Sequence, residues 1–317
     1  MRQPPGDASP DRRSLVAVPV RGFPYTPSNF LAMPPEQSLL ETSRVVVLPV
    51  PYDAATSFRG GAREGPRAII EASWHMEDYD AELRCEPCGV GIHTLPELEP
   101  VMSGPEAMAV RVEATVAPLA RGGKLVALLG GDHSLTPGAV KACRATYPDL
   151  SVLYLDAHAD LREEYQGSRH SHACSALRSL EQCPLTLVGV RSLALEEARL
   201  IAERRVPYFP WPASRSASLA NDVVTGLSSH VYVSVDLDVL DPSIMPAVGT
   251  PEPGGLTWEQ LLALLRAVAS QTTIVGFDLM ELSPSLGPPS CSSVAARLAY
   301  KLMGYALFGR TSRASDR

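Results

Sequence analysis

Six apolar runs recur along the chain: "RVVVLPV" (44–50), "KLVALLG" (124–130), "SVLYLD" (151–156), "LTLVGV" (185–190), "VYVSVDL" (231–237) and "TTIVGFDLM" (272–280). They are rich in Val, Leu and Ile and show no clean two-residue alternation. Strands covered on both faces of a parallel sheet have this pattern. Stretches of helical character separate them. "EAMAVRVEATVAPLA" (106–120) has apolar residues spaced near 3.6. Thr136-Pro137 reads as an N-cap followed by Pro at the first helical position. Thr257 and Gln260 form a possible capping box before "LLALLRAVAS", and "SSVAARLAYKLMGYALF" (292–308) reads as a C-terminal helix. The alternation of strand and helix predicts an α/β sandwich around a mostly parallel sheet. With no internal repeat and no Pro/Gly-rich linker mid-chain, one domain over 23–317 is expected. Residues 1–22, interrupted by prolines and acids, read as a tail and not as a signal peptide.

Bulk properties narrow the class. The 317 residues are 45% hydrophobic and 20% charged, enough for a large core, and the net charge is −7. Without a Lys/Arg-rich run, nucleic acid is not an expected partner. No apolar run reaches the roughly 20 residues of a membrane helix, so no membrane is expected either. Six cysteines are too sparse for a disulfide scaffold, and cytoplasmic location fits. Cys85-Glu-Pro-Cys88 is a lone CxxC and reads as reduced loop thiols in preference to a zinc or redox site.

The chemistry lies after the strands. "GGDHS" (130–134) follows the second run, "YLDAHAD" (154–160) ends the third, and "SVDLDVLD" (234–241) ends the fifth. In open α/β sheets ligands bind beyond the carboxyl ends of strands. In extended backbone, residues i, i+2 and i+4 point the same way, so Asp156, His158 and Asp160 can converge, as can Asp236 and Asp238. With His133 they crowd imidazoles and carboxylates into one small space. Unpaired, the carboxylates would repel, and some would take up protons. Two divalent cations with bridging carboxylates would satisfy them. Oxygen-rich ligands with some imidazole and no thiolate suit Mn²⁺, and less well Fe, Co, Ni or Zn. Such a two-metal site activates water near neutral pH, which makes hydrolysis the expected chemistry.

These three segments, with "SVDLDVLDPSIMPAVGTPEPGG" (234–255) the most specific, resemble the three signatures of the ureohydrolases, the arginase–agmatinase family. The similarity runs from about residue 30 to the last helix, and "PVPYDAATSFRGGAREGPRAIIEAS" (49–73) and "GFDLMELSP" (276–284) also resemble family segments. The resemblance implies a three-layer α/β/α sandwich with a mostly parallel central sheet. It implies one metal held by His133, Asp156, Asp160 and Asp236, and a second held by His158, Asp156, Asp236 and Asp238. Two Mn²⁺ per chain are expected, with Ni²⁺ or Co²⁺ as alternatives. Glu281 would hold the guanidinium group, since a carboxylate accepts two parallel hydrogen bonds from it. His172 would shuttle a proton to the departing amine, with His170 its rival. Asp132 would orient His133. Cys174, close to His172, reads as a buried small hydrophobe. Family members are trimers or hexamers, so a homo-oligomer is implied.

The implied reaction is water plus a guanidino compound giving urea and an amine. The loop "DLREEYQGSRHSHACS" (160–175) lacks the arginase-type polar pattern and looks like that of agmatinases, so agmatine, a small cationic guanidine, is the expected substrate. Glu163, Glu164 and Tyr165 would line the pocket, one glutamate meeting the distal amine. Arg162 and Arg169 leave open a substrate with a distal carboxylate instead, such as the guanidino acids 4-guanidinobutyrate and guanidinopropionate, or formiminoglutamate. Arginine is a further alternative. Outside this class stand a non-catalytic binding protein of the same fold and a one-metal zinc deacylase.

Overall fold

All six apolar runs form strands of one sheet. The computed structural model describes residues 26–212 and 218–309; the expected tail, 1–22, lies outside the described residues. The strands are β1 (Val45–Pro49), β2 (Ile92–Thr94), β3 (Leu125–Leu129), β4 (Leu150–Leu155), β5 (Leu185–Val188), β6 (Tyr208–Phe209), β7 (His230–Asp236) and β8 (Thr273–Met280). Their order is β2-β1-β3-β8-β7-β4-β5-β6, and every pairing among them is parallel. β2 and β6 are short outer strands with no apolar run of their own.

Helices cover both faces. α1 (Gly65–Ser73), α6 (Leu219–Thr225), α7 (Trp258–Gln271) and α8 (Ser290–Phe308) pack on one side against Val45, Ala127, Leu153, Val233 and Phe277. α2 (Pro105–Arg121), α3 (Thr136–Thr146), α4 (Ser175–Leu180) and α5 (Leu195–Arg204) pack on the other against Leu48, Val126, Leu128, Val152 and Val275. Successive strand residues therefore serve opposite cores, which is why the runs are apolar throughout. Each fully buried Leu or Val contributes about 1.5–3 kcal/mol relative to exposure. No helix among the described residues is long and apolar enough to cross a membrane.

The capping box at α7 forms: Thr257 Oγ1 accepts from Gln260 N at 3.2 Å, and Gln260 Oε1 accepts from Thr257 N at 2.9 Å. Thr136 does not act as an N-cap. A 3-10 turn, His133–Leu135, runs directly into α3, and Thr136 Oγ1 donates instead to Asp278 Oδ2 at 2.8 Å.

From β3 the chain crosses over β8 and β7 to reach β4. The carboxyl ends of these four central strands share one edge of the sheet, and the polar clusters follow them there.

Candidate metal-dependent active site

Strand register sets the site. Asp278 on β8 pairs with Ser234 on β7, and Ser234 pairs with Tyr154 on β4. Above this row, β7 ends at Asp236, and Asp238 follows in a 3-10 turn. β4 ends at Leu155, so Asp156, His158 and Asp160 lie beyond it. The extended spacing expected for this trio therefore does not last through its final residue: Asp160 has a φ of 50°. A left-handed residue, rare outside glycine, turns the chain and brings the carboxylate back. On β3's side, Gly131 passes so close to the Tyr52 carbonyl that a Cβ would lie 1.7 Å from its oxygen.

The expected ligands meet. His133 Nδ1 lies 3.1 Å from Asp156 Oδ2, 3.2 Å from Asp236 Oδ2 and 3.7 Å from Asp160 Oδ2. His158 Nδ1 lies 3.0 Å from Asp238 Oδ2 and 3.5 Å from Asp156 Oδ1. Ligand atoms of His133, Asp156 and Asp160 all fall within 4.8 Å of one another, as do those of Asp156, His158 and Asp238. Asp156 belongs to both groups. Its Oδ2 and that of Asp238 are buried and accept no hydrogen bond. Buried carboxylate oxygens without hydrogen-bond donors, facing imidazole nitrogens, fit a pair of hard or borderline divalent cations.

The electrostatics agree. Burial, reinforced by neighbouring aspartates, pushes Asp236 and Asp238 above the usual carboxylate range and Asp160 up to about 7. Burial acts on Asp156 in the same sense, but the His133 and His158 imidazoles beside it overcome that effect and hold this carboxyl low. Four carboxylates so close cannot all stay charged without cations among them.

Around the ligands lies a polar frame that the sequence reading missed. His133 Nε2 bonds Ser234 Oγ at 2.8 Å, and Ser234 Oγ donates to Asp278 Oδ1 at 2.7 Å. Asp278 also accepts from Thr136 Oγ1 at 2.8 Å and Tyr232 OH at 3.0 Å. The Tyr154 ring stacks on His133, with centroids 4.5 Å apart, and its OH donates to Asp160 Oδ2 at 2.9 Å. The available signal was polar residues inside apolar runs. Tyr232 and Ser234 stand four and two residues before Asp236, on its face of the strand. Contrary to expectation, Asp132 does not orient the His133 ring, whose nitrogens meet Asp236 and Ser234. Its Oδ1 accepts from Ser134 N at 3.0 Å and its Oδ2 from Ala55 N at 2.8 Å, so it ties two loops together.

Glu281 and His172 adjoin this cluster. Glu281 is buried, with a φ of 68°, and its Oε1 accepts from His133 N at 2.9 Å. His172 Nδ1 lies 3.4 Å from the same oxygen, and Nε2 bonds Ser57 Oγ at 2.8 Å. Burial alone would lower the His172 pKa, but Glu281 lifts it to about 9. His170 is elsewhere, its Nε2 3.7 Å from Glu106 Oε1. A cavity of about 280 Å³ opens beside His158, Asp160, Asp236 and His172 and continues past Arg162, Tyr165 and Glu197.

Glu163 and Glu164 do not line that cavity. Glu163 is exposed and pairs with Arg169 and with Arg178, the latter at 3.2 Å; Glu164 is exposed as well. Against the expectation that Glu163 and Glu164 line the pocket, the loop turns their two carboxylates outward and leaves Arg162 and Tyr165 facing in. Arg162 lies over the Tyr165 ring, 5.0 Å from its centroid, and pairs with Glu196 at 3.1 Å. Besides Asp160 and Asp236, the buried acid on the cavity wall is Glu197, which accepts from Leu161 N at 2.9 Å and Ala194 N at 2.6 Å. Cys174 is fully buried, and burial pushes its thiol up to about 11. Cys88 is buried and Cys85 partly so, both thiols raised chiefly by burial.

A parallel α/β sheet with paired His/Asp clusters beyond its central strands defines a metal-dependent hydrolase of the ureohydrolase class. The chain belongs to the arginase family, whose model matches residues 43–305. It is 43% identical over 266 residues to an N(1)-aminopropylagmatine ureohydrolase of Thermus thermophilus, covering 83% of this chain and 90% of that protein. It is 39% identical over 294 residues to an N(1)-aminopropylagmatine ureohydrolase of Synechocystis sp., covering 89% and 95%. The crystal structure of agmatine ureohydrolase of Thermoplasma volcanium superposes with a TM-score of 0.78 at 30% identity, covering 87% of this chain and 93% of that one.

Proposed function

We propose that this enzyme hydrolyses a cationic alkylguanidine, agmatine or its N1-aminopropyl derivative, to urea and an amine. The observation that carries this reading is the buried Glu281 carboxylate beside both the His/Asp cluster and His172. His133, Asp156, Asp160 and Asp236 would hold one metal ion, and His158, Asp156, Asp236 and Asp238 the other. Two bound Mn²⁺ ions would supply the Lewis acidity that makes water nucleophilic near neutral pH.

Glu281 receives the planar guanidinium through charge-assisted hydrogen bonds and presents its central carbon to the water. His172, protonated at neutral pH, gives its proton to the departing amine. Glu197 replaces Glu163 and Glu164 as the acid for the distal amine, because it lies on the cavity wall. Agmatine would yield putrescine, and its aminopropyl derivative would yield spermidine. The identities of the relatives favour the longer substrate. A guanidino acid is disfavoured, because Arg162 is paired with Glu196 and Arg169 with Glu163. The proposal extends to a cytoplasmic homo-oligomer, trimer or hexamer, with residues 23–317 as one catalytic domain.

Urea release by the manganese-loaded enzyme from N1-aminopropylagmatine, agmatine, arginine and 4-guanidinobutyrate tests this reading. A kcat/KM highest for one of the first two supports it. Preference for arginine or the guanidino acid refutes the assignment of the cavity, and no urea from any of the four refutes the function.

A further inference from the structure

His172 is held at both ring nitrogens. Nδ1 faces Glu281 Oε1 at 3.4 Å, and Nε2 meets Ser57 Oγ at 2.8 Å. Ser57 comes from the connection between β1 and α1, and it lines the cavity. That connection is fastened on both sides of the serine. Before it, Asp132 Oδ2 accepts from Ala55 N at 2.8 Å, and Tyr52 O accepts from Asp132 N at 2.8 Å. After it, Asp53 Oδ2 accepts from Gly61 N at 3.0 Å, while Asp53 Oδ1 accepts from Arg63 Nε at 2.5 Å. Asp132 thus joins the Ser57 connection to the turn that carries His133. A loop fastened in this way delivers one hydroxyl to one ring nitrogen at a fixed place.

We propose that Ser57 is a positioning residue for His172. This rests on the reading of His172 as the proton donor. A ring bonded at only one nitrogen can turn about its last side-chain torsion, which is broad for an imidazole. Turned by half, it would exchange the Nδ1 and Cδ2 positions and lose its contact with Glu281. The serine hydroxyl bonds either protonation state, accepting from Nε2–H or donating to the bare nitrogen. It therefore keeps the ring in place while the proton leaves and returns. Among the described residues, Ser57 Oγ is the hydrogen-bond partner of this nitrogen.

The test compares Ser57→Ala, Ser57→Thr, His172→Asn and the double variant Ser57→Ala/His172→Asn, each manganese-loaded, with urea release as the assay. Ser57→Ala is expected to lower kcat about 10- to 100-fold, with KM within about twofold and metal content unchanged. Ser57→Thr, which keeps the hydroxyl, is expected to retain most of kcat. In the His172→Asn background, Ser57→Ala should change nothing further, because the two residues act as a unit. Wild-type kcat in Ser57→Ala, or losses that multiply in the double variant, would overturn the proposal. If the wild-type enzyme releases no urea from any guanidine, the functional reading fails on its own. The His172 ring-nitrogen NMR shifts then decide the positioning role: a change of tautomer or shift in Ser57→Ala supports it, and identical spectra overturn it.

Discussion

Glu281 Oε1 accepts the backbone N–H of His133, so the acid after β8 is tied to the first residue of the turn after β3. The expected guanidinium-binding acid and an expected metal ligand are thereby held in one frame. Glu281 sits at a φ of 68°, and its N–H is fixed by Gly131 O at 2.8 Å. Backbone in this region costs about 1–3 kcal/mol for a residue other than glycine and persists where its surroundings hold it.

Glu281→Gln keeps the shape of this residue and removes its charge. It should lower kcat/KM about 100- to 1000-fold, the loss of one or two charge-assisted hydrogen bonds to a guanidinium. Metal content should stay at the wild-type level. Steady-state kinetics with metal analysis check both, and a loss of metal in this variant would place Glu281 among the ligands.

Ser234→Ala removes the atom shared by His133 Nε2 and Asp278 Oδ1. Two buried polar groups lose a partner, at a cost of about 1–3 kcal/mol each. Metal affinity should fall about 10- to 100-fold, as when other residues that orient a ligand imidazole are lost. Manganese titration and thermal unfolding in chelator measure the two effects separately.

Glu197→Gln should raise KM for a substrate with a distal ammonium about tenfold, while changing KM for guanidine itself much less. Glu163→Gln and Glu164→Gln should leave both within about twofold, because both glutamates are exposed and outside the cavity; surface charges of this kind contribute about 0–1 kcal/mol. Equal KM for agmatine in wild type and Glu197→Gln would remove Glu197 from the amine site.

Far from the site, Lys301 Nζ lies 2.8 Å from both Asp80 Oδ2 and Glu82 Oε2 and joins α8 to the 80–82 turn. Burial would raise both acids, but the lysine, with backbone and tyrosine donors, holds both below their ordinary values. A depressed folded pKa contributes stability that is present above the unfolded value, near 4, and lost as pH falls through the lower folded value. Lys301→Met should cost about 3 kcal/mol at pH 7, since it leaves the buried Asp80 without its cation. The difference from wild type should shrink below pH 4. Chemical denaturation at pH 7 and pH 3 checks the sign.

The central sheet was legible because burial on both faces writes itself into Val, Leu and Ile. The outer strands β2 and β6 were not, since three and two residues carry no pattern. Asp156, His158 and Asp238 were found by their spacing past a strand, but the left-handed turn that returns Asp160 is not visible in its side chain. Ser234 and Asp278 were passed over because a polar residue in an apolar run looks like an interruption. Each is there to bond a partner on another strand. The facing of Glu163 and Glu164 depended on where one loop turns, which nearest-neighbour chemistry does not fix.

The position of β8 has a bearing on how the molecule is made. The last strand in the chain lies between β3 and β7, two strands formed from segments about 100 residues apart. A nascent chain that has left the ribosome through β7 and the turn after it carries His133, Asp156, His158, Asp160, Asp236 and Asp238, but no strand to bridge the two halves on which they lie. Non-local pairing of this kind is slow to form. The His/Asp cluster therefore comes together only after β8, residues 273–280, has been made and the two halves of the sheet are joined.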